Sequence, residues 1–175
     1  MRRLAEIDRL KLVGLLADRL AFERAAAVRY GEALTLLADA EPALQRIVPR
    51  LELQLADERA HASWLERELQ RLEAPIERVR GHLERMQPEC DALFGDRSHG
   101  VLALVRSLHR LELGDVAGWE LLTAVAARAD DEPARRAFSA IAEGERAHLV
   151  FIERVSVELA VNDALGWPVT LPIAP

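Results

Sequence analysis

Glu58-Arg59-Ala60-His61 recurs as Glu145-Arg146-Ala147-His148. On a helix, each copy sets a carboxylate and an imidazole one turn apart on the same face. A lone glutamate inside an apolar helical run precedes each copy: Glu23 lies 35 residues before Glu58, and Glu112 lies 33 before Glu145. An aromatic stands seven residues after each lone glutamate, Tyr30 in the first half and Trp119 in the second. The chain therefore reads as a repeat, each half a pair of helices. Two helical hairpins joined by a long connection make an all-α four-helix bundle with one crossover.

The surrounding sequence agrees with that reading. The 175 residues are 50% hydrophobic and only 5% aromatic, rich in the Ala, Leu, Glu and Arg that favour helix. An apolar stripe at Leu12, Val13, Leu16, Leu20, Ala27, Tyr30, Leu34 and Leu37 predicts a first helix from about Ile7 to Leu37. Asp39-Ala40-Glu41-Pro42 then closes it, with Asp39 as N-cap candidate for a second helix running past Leu44 to Leu72. A third helix covers Val101 to Arg128. Asp130-Asp131-Glu132-Pro133 repeats the earlier turn, and a fourth helix follows to about Leu159. The bundle is assigned to residues 1–160. Its crossover over 74–100 holds a short amphipathic helix from Pro75 to Met86, then irregular chain around Pro88 and from Gly95 to Gly100. Residues 161–175 form a Pro-containing C-terminal tail.

Bulk properties narrow the function classes. A net charge of −6, with arginines spread along the helices without a basic block, argues against nucleic-acid binding. Cys90 is the sole cysteine, which excludes a disulfide framework and a cysteine-rich metal knuckle and points to a reducing, cytoplasmic compartment. Met1-Arg2-Arg3 is followed by charged residues rather than an apolar segment, so no signal peptide is read, and no apolar run reaches membrane-spanning length.

The stripes themselves carry the chemistry. Steps of three and four give the rows Leu16, Leu20, Glu23, Ala27, Tyr30 and Leu51, Leu55, Glu58, His61, Leu65. The second half supplies Val105, Leu108, Glu112, Val116, Trp119 and Phe138, Ile141, Glu145, His148, Ile152. Four glutamates, one per helix, thus face one apolar interior. As bare anions they would be intolerable there, and no lysine or arginine is read on those rows to pair with them. Two divalent metals would supply the four compensating charges, and carboxylate with imidazole suits iron or manganese.

Glu23, Glu58-x-x-His61, Glu112 and Glu145-x-x-His148 together resemble the ferritin-like di-iron carboxylate superfamily, which includes ferritins, bacterioferritins and rubrerythrins. The resemblance spans Leu10 to Leu159. It implies that Glu23, Glu58 and His61 serve one half of a two-iron site and Glu112, Glu145 and His148 the other, with Glu58 and Glu145 bridging. Asp115, one turn beyond Glu112, matches the offset of an extra acidic ligand in rubrerythrin-type sites. There the residue is usually Glu, so Asp115 stands as a candidate seventh ligand. The chain departs from rubrerythrins in lacking a cysteine-rich module, and from bacterioferritins in having no Met on the second helix to ligate haem.

Plainer roles compete at several positions. His61 and His148 could be core histidines, Glu23 and Glu112 could reach water at a stripe edge, and Asp115 could face solvent. Tyr30 packs in the core, or bonds a ligand carboxylate through its hydroxyl. Trp119 at the matching position cannot accept a hydrogen bond. His109 reads as structural or adjacent to the site, nothing is read from His82 and His99, and Cys90 sits in a loop without a base. The remaining charges form exposed ion pairs of small individual worth.

The resemblance implies an oxidoreductase that reacts with dioxygen or peroxide as a ferroxidase or rubrerythrin-like peroxidase, in a homo-oligomer (dimer or larger). Ala27, Ala62 and Ala142 would leave room for a small oxidant. An iron-storage shell subunit, or a metal-binding bundle without turnover, are the alternatives. The Pro-containing tail does not look like the short fifth helix that many ferritins place after the bundle.

Overall fold

A computed structural model describes residues 1–94, 100–169 and 171. Those residues are all-α. The helices are α1 (Arg2–Ala38), α2 (Pro42–Gln45), α3 (Val48–Arg71), α4 (Ile76–Phe94), α5 (Val101–Arg128) and α6 (Glu132–Leu165). Helix α1 packs on α3, α4 and α5, while α5 packs on α6 and α4. Paired residues run in opposite order along the partners: Tyr30 meets Gln54 and Arg24 meets Glu66, so α1 and α3 are antiparallel. Among the described residues no helix is long and apolar enough to cross a membrane.

Several boundaries differ from the sequence reading, each for a local reason. Helix α1 begins earlier than Ile7 but is kinked at Asp8, whose φ of −157° and ψ of 90° are not helical. The Asp8 carboxylate accepts from the Lys11 N–H at 3.0 Å, so it caps the long straight part of the helix from within. The second helix is broken rather than continuous. Pro49 has no N–H to donate back to the Gln45 carbonyl, so α2 stops at Gln45 and α3 restarts at Val48. Asp39 closes α1 instead of capping α2, whose N-cap is Glu41.

The connection holds a longer helix than expected. Helix α4 continues through Pro88, and Cys90 is helical and buried rather than in a loop. One lost backbone bond at Pro88 is offset by apolar packing, for Met86 and Cys90 join the core against α1 and α5. Residues 95–99, His99 among them, lie outside the described residues, as do Pro172 and Pro175. Helix α6 passes the expected end at Leu159 and the tail boundary at 160, reaching Leu165. Gly166 ends it in the left-handed conformation, with φ of 65°.

Asp131, one residue after the aspartate that matches Asp39 in the first turn, is the N-cap of α6. Its carboxylate accepts from the Ala134 N–H and, across to α1, from the Leu4 N–H and the Met1 amino group, each at 3.2 Å. Burial pushes this carboxyl up, but those donors outweigh it and hold it below the usual aspartate range. A depressed carboxyl contributes stability above its unfolded pKa, near 3.9, and loses it as pH falls through the lower folded value. Asp131→Ala is therefore expected to cost about 0.5–2 kcal/mol at pH 6. The difference from wild type should shrink at pH 3 in urea titrations, and an equal difference at both pH values would contradict the capping role.

Two apolar layers fill the interior. One gathers Ala26, Tyr30, Leu55, Leu108 and Ile152, the other Leu16, Leu20, Leu65, Trp119 and Phe138. Between them lies a polar layer.

Candidate metal centre

Glu23, Glu58, Glu112 and Glu145 each have 0% exposure, and Asp115 is as deeply buried. His148 is 5% exposed and His61 half-buried. The rows of three and four that place them on the helices also place them on one level, because each helix meets its neighbours through that stripe. All six expected ligand residues, and Asp115, are brought together. Three overlapping groups have ligand atoms within 4.8 Å of one another: Glu58, Glu112, Glu145 and His148; Glu23, Glu58 and His61; and Glu23, Asp115 and Glu145. Glu58 belongs to the first two, and Glu145 to the first and third.

The two lone glutamates are held by crossed hydrogen bonds. Tyr30, on the helix of Glu23, donates its hydroxyl to Glu112 Oε1. Trp119, on the helix of Glu112, donates its indole N–H to Glu23 Oε1 at 2.9 Å. Each glutamate is thereby fixed through one oxygen; Glu112 Oε2 accepts no hydrogen bond, and Glu23 Oε2 has only the ionic contact with His61 Nδ1 at 3.6 Å. Trp119 is a donor where the sequence reading excluded it only as an acceptor.

The histidines converge on Glu145. Its Oε2 lies 3.0 Å from His148 Nδ1, and its Oε1 lies 2.8 Å from His61 Nδ1. On its other side His148 Nε2 is 3.2 Å from Asp57 Oδ2, an orienting contact that leaves Nδ1 facing the interior. Among the four glutamates Glu58 alone has no hydrogen-bond donor on either buried oxygen; Asp115 shares that state but has the Arg19 guanidinium 2.9 Å away.

Electrostatics follow from this arrangement. Burial, then the charges of Asp115, Glu23, Glu145 and Glu112, push Glu58 well above the usual carboxylate range. Burial drives Glu112 up to about 8 against the hydrogen bond from Tyr30. Burial raises Glu145 as well, but the bonds from His148 and His61 prevail and bring it down to about 2. Burial would lower His61, yet Glu145 and Glu23 carry it up to about 9. Glu58 and Glu112 are thus biased toward their neutral forms and His61 toward its charged one.

The expectation that no arginine or lysine pairs with the interior carboxylates is overturned by Arg19. It is 6% exposed, with Nε 2.9 Å from Glu23 Oε1 and Nη2 2.9 Å from Asp115 Oδ1. Arg19 stands four residues before Glu23, on the same face, and that spacing was a legible signal. Gln54, four residues before Glu58 and legible by the same spacing, was also missed, as was Asp57, which adjoins Glu58 in the chain and is not on its row. His109 is half-buried and, among the described residues, enters none of the three groups. His82 pairs with Asp18 at 2.6 Å, away from the centre.

No family model matches the chain, and no curated protein or solved structure matches it.

Proposed function

We propose that this chain is a ferritin-like di-metal carboxylate protein, its long helices forming a four-helix bundle of two hairpins. In this reading it is an oxidoreductase toward dioxygen or peroxide, of ferroxidase or rubrerythrin-like peroxidase type. The observation that carries the reading is Glu58, a fully buried carboxylate without a donor that is shared by two groups of potential ligands. Burying such a group costs free energy, and a cation on each side of it would repay that cost.

The donor set fits two divalent ions. Glu23, Glu58 and His61 would hold one, and Glu58, Glu112, Glu145 and His148 the other. Oxygen and imidazole donors without thiolate suit iron or manganese, which when bound would supply the electron transfer and Lewis acidity. The chain's own contribution is positional. Tyr30 and Trp119 orient one free oxygen of each lone glutamate inward, Asp57 orients His148, and the two apolar layers exclude water.

The test is anaerobic loading with Fe(II), a count of bound iron, then dioxygen or peroxide with the near-ultraviolet spectrum recorded. Two irons per chain and rapid appearance of ferric absorption are expected. The complete burial of the four glutamates favours a second reading, in which the ions only stabilise the helices. Binding without oxidation would select it. An iron-storage shell would instead elute from a sizing column as a large multimer.

A proton balance gives an independent check. His61 and Glu112 both hold protons more tightly in the folded metal-free chain than in the unfolded one. Folding therefore takes up protons between roughly pH 5 and 9, and metal-free stability should fall as pH rises through that range. Metal must displace the same protons, so affinity for Mn(II) should strengthen from pH 6 to about 8. Calorimetric titrations in buffers of different ionisation enthalpy would read the released protons. Binding with no proton release would contradict the proposed ligands.

A further inference from the structure

We infer that Arg19 is a resident cation of this centre, a positioning residue that holds Asp115 out of the ligand set and limits the site to two metal ions. The inference rests on the di-metal reading and adds to it.

The geometry begins on α5. Gly114 and Gly118, one turn apart, leave a groove that receives two side chains from α1. A Cβ at Gly114 would stand 2.9 Å from the Phe22 ring, and one at Gly118 would overlap the Arg19 guanidinium. Arg19 lies over the Phe22 ring at 4.1 Å and near Trp119 at 5.6 Å, so its charge is held between aromatic faces. From there it reaches Asp115 Oδ1 through Nη2 and the Asp115 carbonyl through Nη1, while Nε faces Glu23 Oε1.

Those contacts fall on the third group of potential ligands. Of Glu23, Asp115 and Glu145, two already face the guanidinium. A guanidinium stays protonated in proteins, so this charge cannot be withdrawn. The charges then balance. Glu23, Glu58, Glu112, Asp115 and Glu145 bring five negative charges, which two divalent ions and Arg19 would match. Asp115 is thus the counter-ion of Arg19, and its buried position does not make it a ligand.

The experiment is calorimetric titration with Mn(II), with metal analysis after desalting, on wild type, Asp115→Asn, Arg19→Met and the Arg19→Met/Asp115→Asn double variant. Wild type should bind two ions per chain. Asp115→Asn should keep two, with affinity lowered by no more than about 10–100-fold, the effect of an outer partner. Arg19→Met should take up a third ion, and the double variant should return to two. Should the single arginine variant fail to fold, Gly118→Ala, which displaces the guanidinium without deleting it, replaces it with the same expectation. Loss of an ion in Asp115→Asn would make Asp115 a ligand and overturn the inference. Two ions in Arg19→Met or Gly118→Ala at wild-type affinity would also overturn it. Absence of binding in wild type would instead overturn the di-metal reading beneath it.

Discussion

Replacing Glu58 with leucine is expected to weaken the binding of both metal ions and, at the same time, raise the melting temperature of the metal-free chain. Both effects have one origin. Glu58 is fully buried, neither oxygen has a donor, and four other carboxylates surround it. An unsatisfied buried polar group costs about 1–3 kcal/mol, and leucine of similar size removes that cost while joining the layer of Leu55 and Leu51. At roughly 2–4 °C per kcal/mol for a chain of this length, scanning calorimetry should resolve the gain. Losing a shared ligand should weaken Mn(II) binding beyond the roughly 10–100-fold cost of an outer partner, and for both ions together. A variant that melts lower than wild type without metal would show that Glu58 already has a partner in the metal-free protein. Retention of two ions at wild-type affinity would remove Glu58 from the centre.

Trp119→Ala is expected to be the most destabilising single substitution of an aromatic residue. Trp119 is 0% exposed and is among the largest fully buried side chains. Its ring lies 6.1 Å from both Trp64 and Phe138 and 5.8 Å from His61. Truncating a buried tryptophan costs about 3–5 kcal/mol, which corresponds to a fall of roughly 6–20 °C. Trp119→Phe should recover much of that packing but not the bond to Glu23. The phenylalanine variant should therefore melt close to wild type while binding metal more weakly. If both variants bind Mn(II) as wild type does, the indole N–H has no part in orienting Glu23.

The helices and the rows of site residues were legible because both depend on near neighbours in the chain. A period of 3.6 residues decides which side chains share a face, so Glu58 and His61, or Glu145 and His148, could be grouped before any packing was known. Helix α5 was read with its observed ends, since Gly100 and the Asp130-Asp131 turn punctuate it. Reading was less reliable where one backbone bond competes with packing. Pro49 breaks a helix that its stripe would continue, whereas Pro88 is carried inside one because α4 docks on α1 and α5.

Arg19 marks the boundary between the two kinds of information. Its place on the Glu23 face is a local fact, present in the sequence and overlooked against the assumption that interior rows exclude arginine. Its role is not local. Arg19 and Asp115 are 96 residues apart, as are Glu23 and Trp119. By itself the sequence determined the helices, their polar rows and the repeat that makes the two halves alike. Only the tertiary structure decided that Tyr30 serves Glu112, that Trp119 serves Glu23, and that two glycines on α5 admit a guanidinium beside Asp115. Helical periodicity sets the direction a side chain faces. The atoms it meets depend on the axial offset between helices, which packing of the whole interior selects.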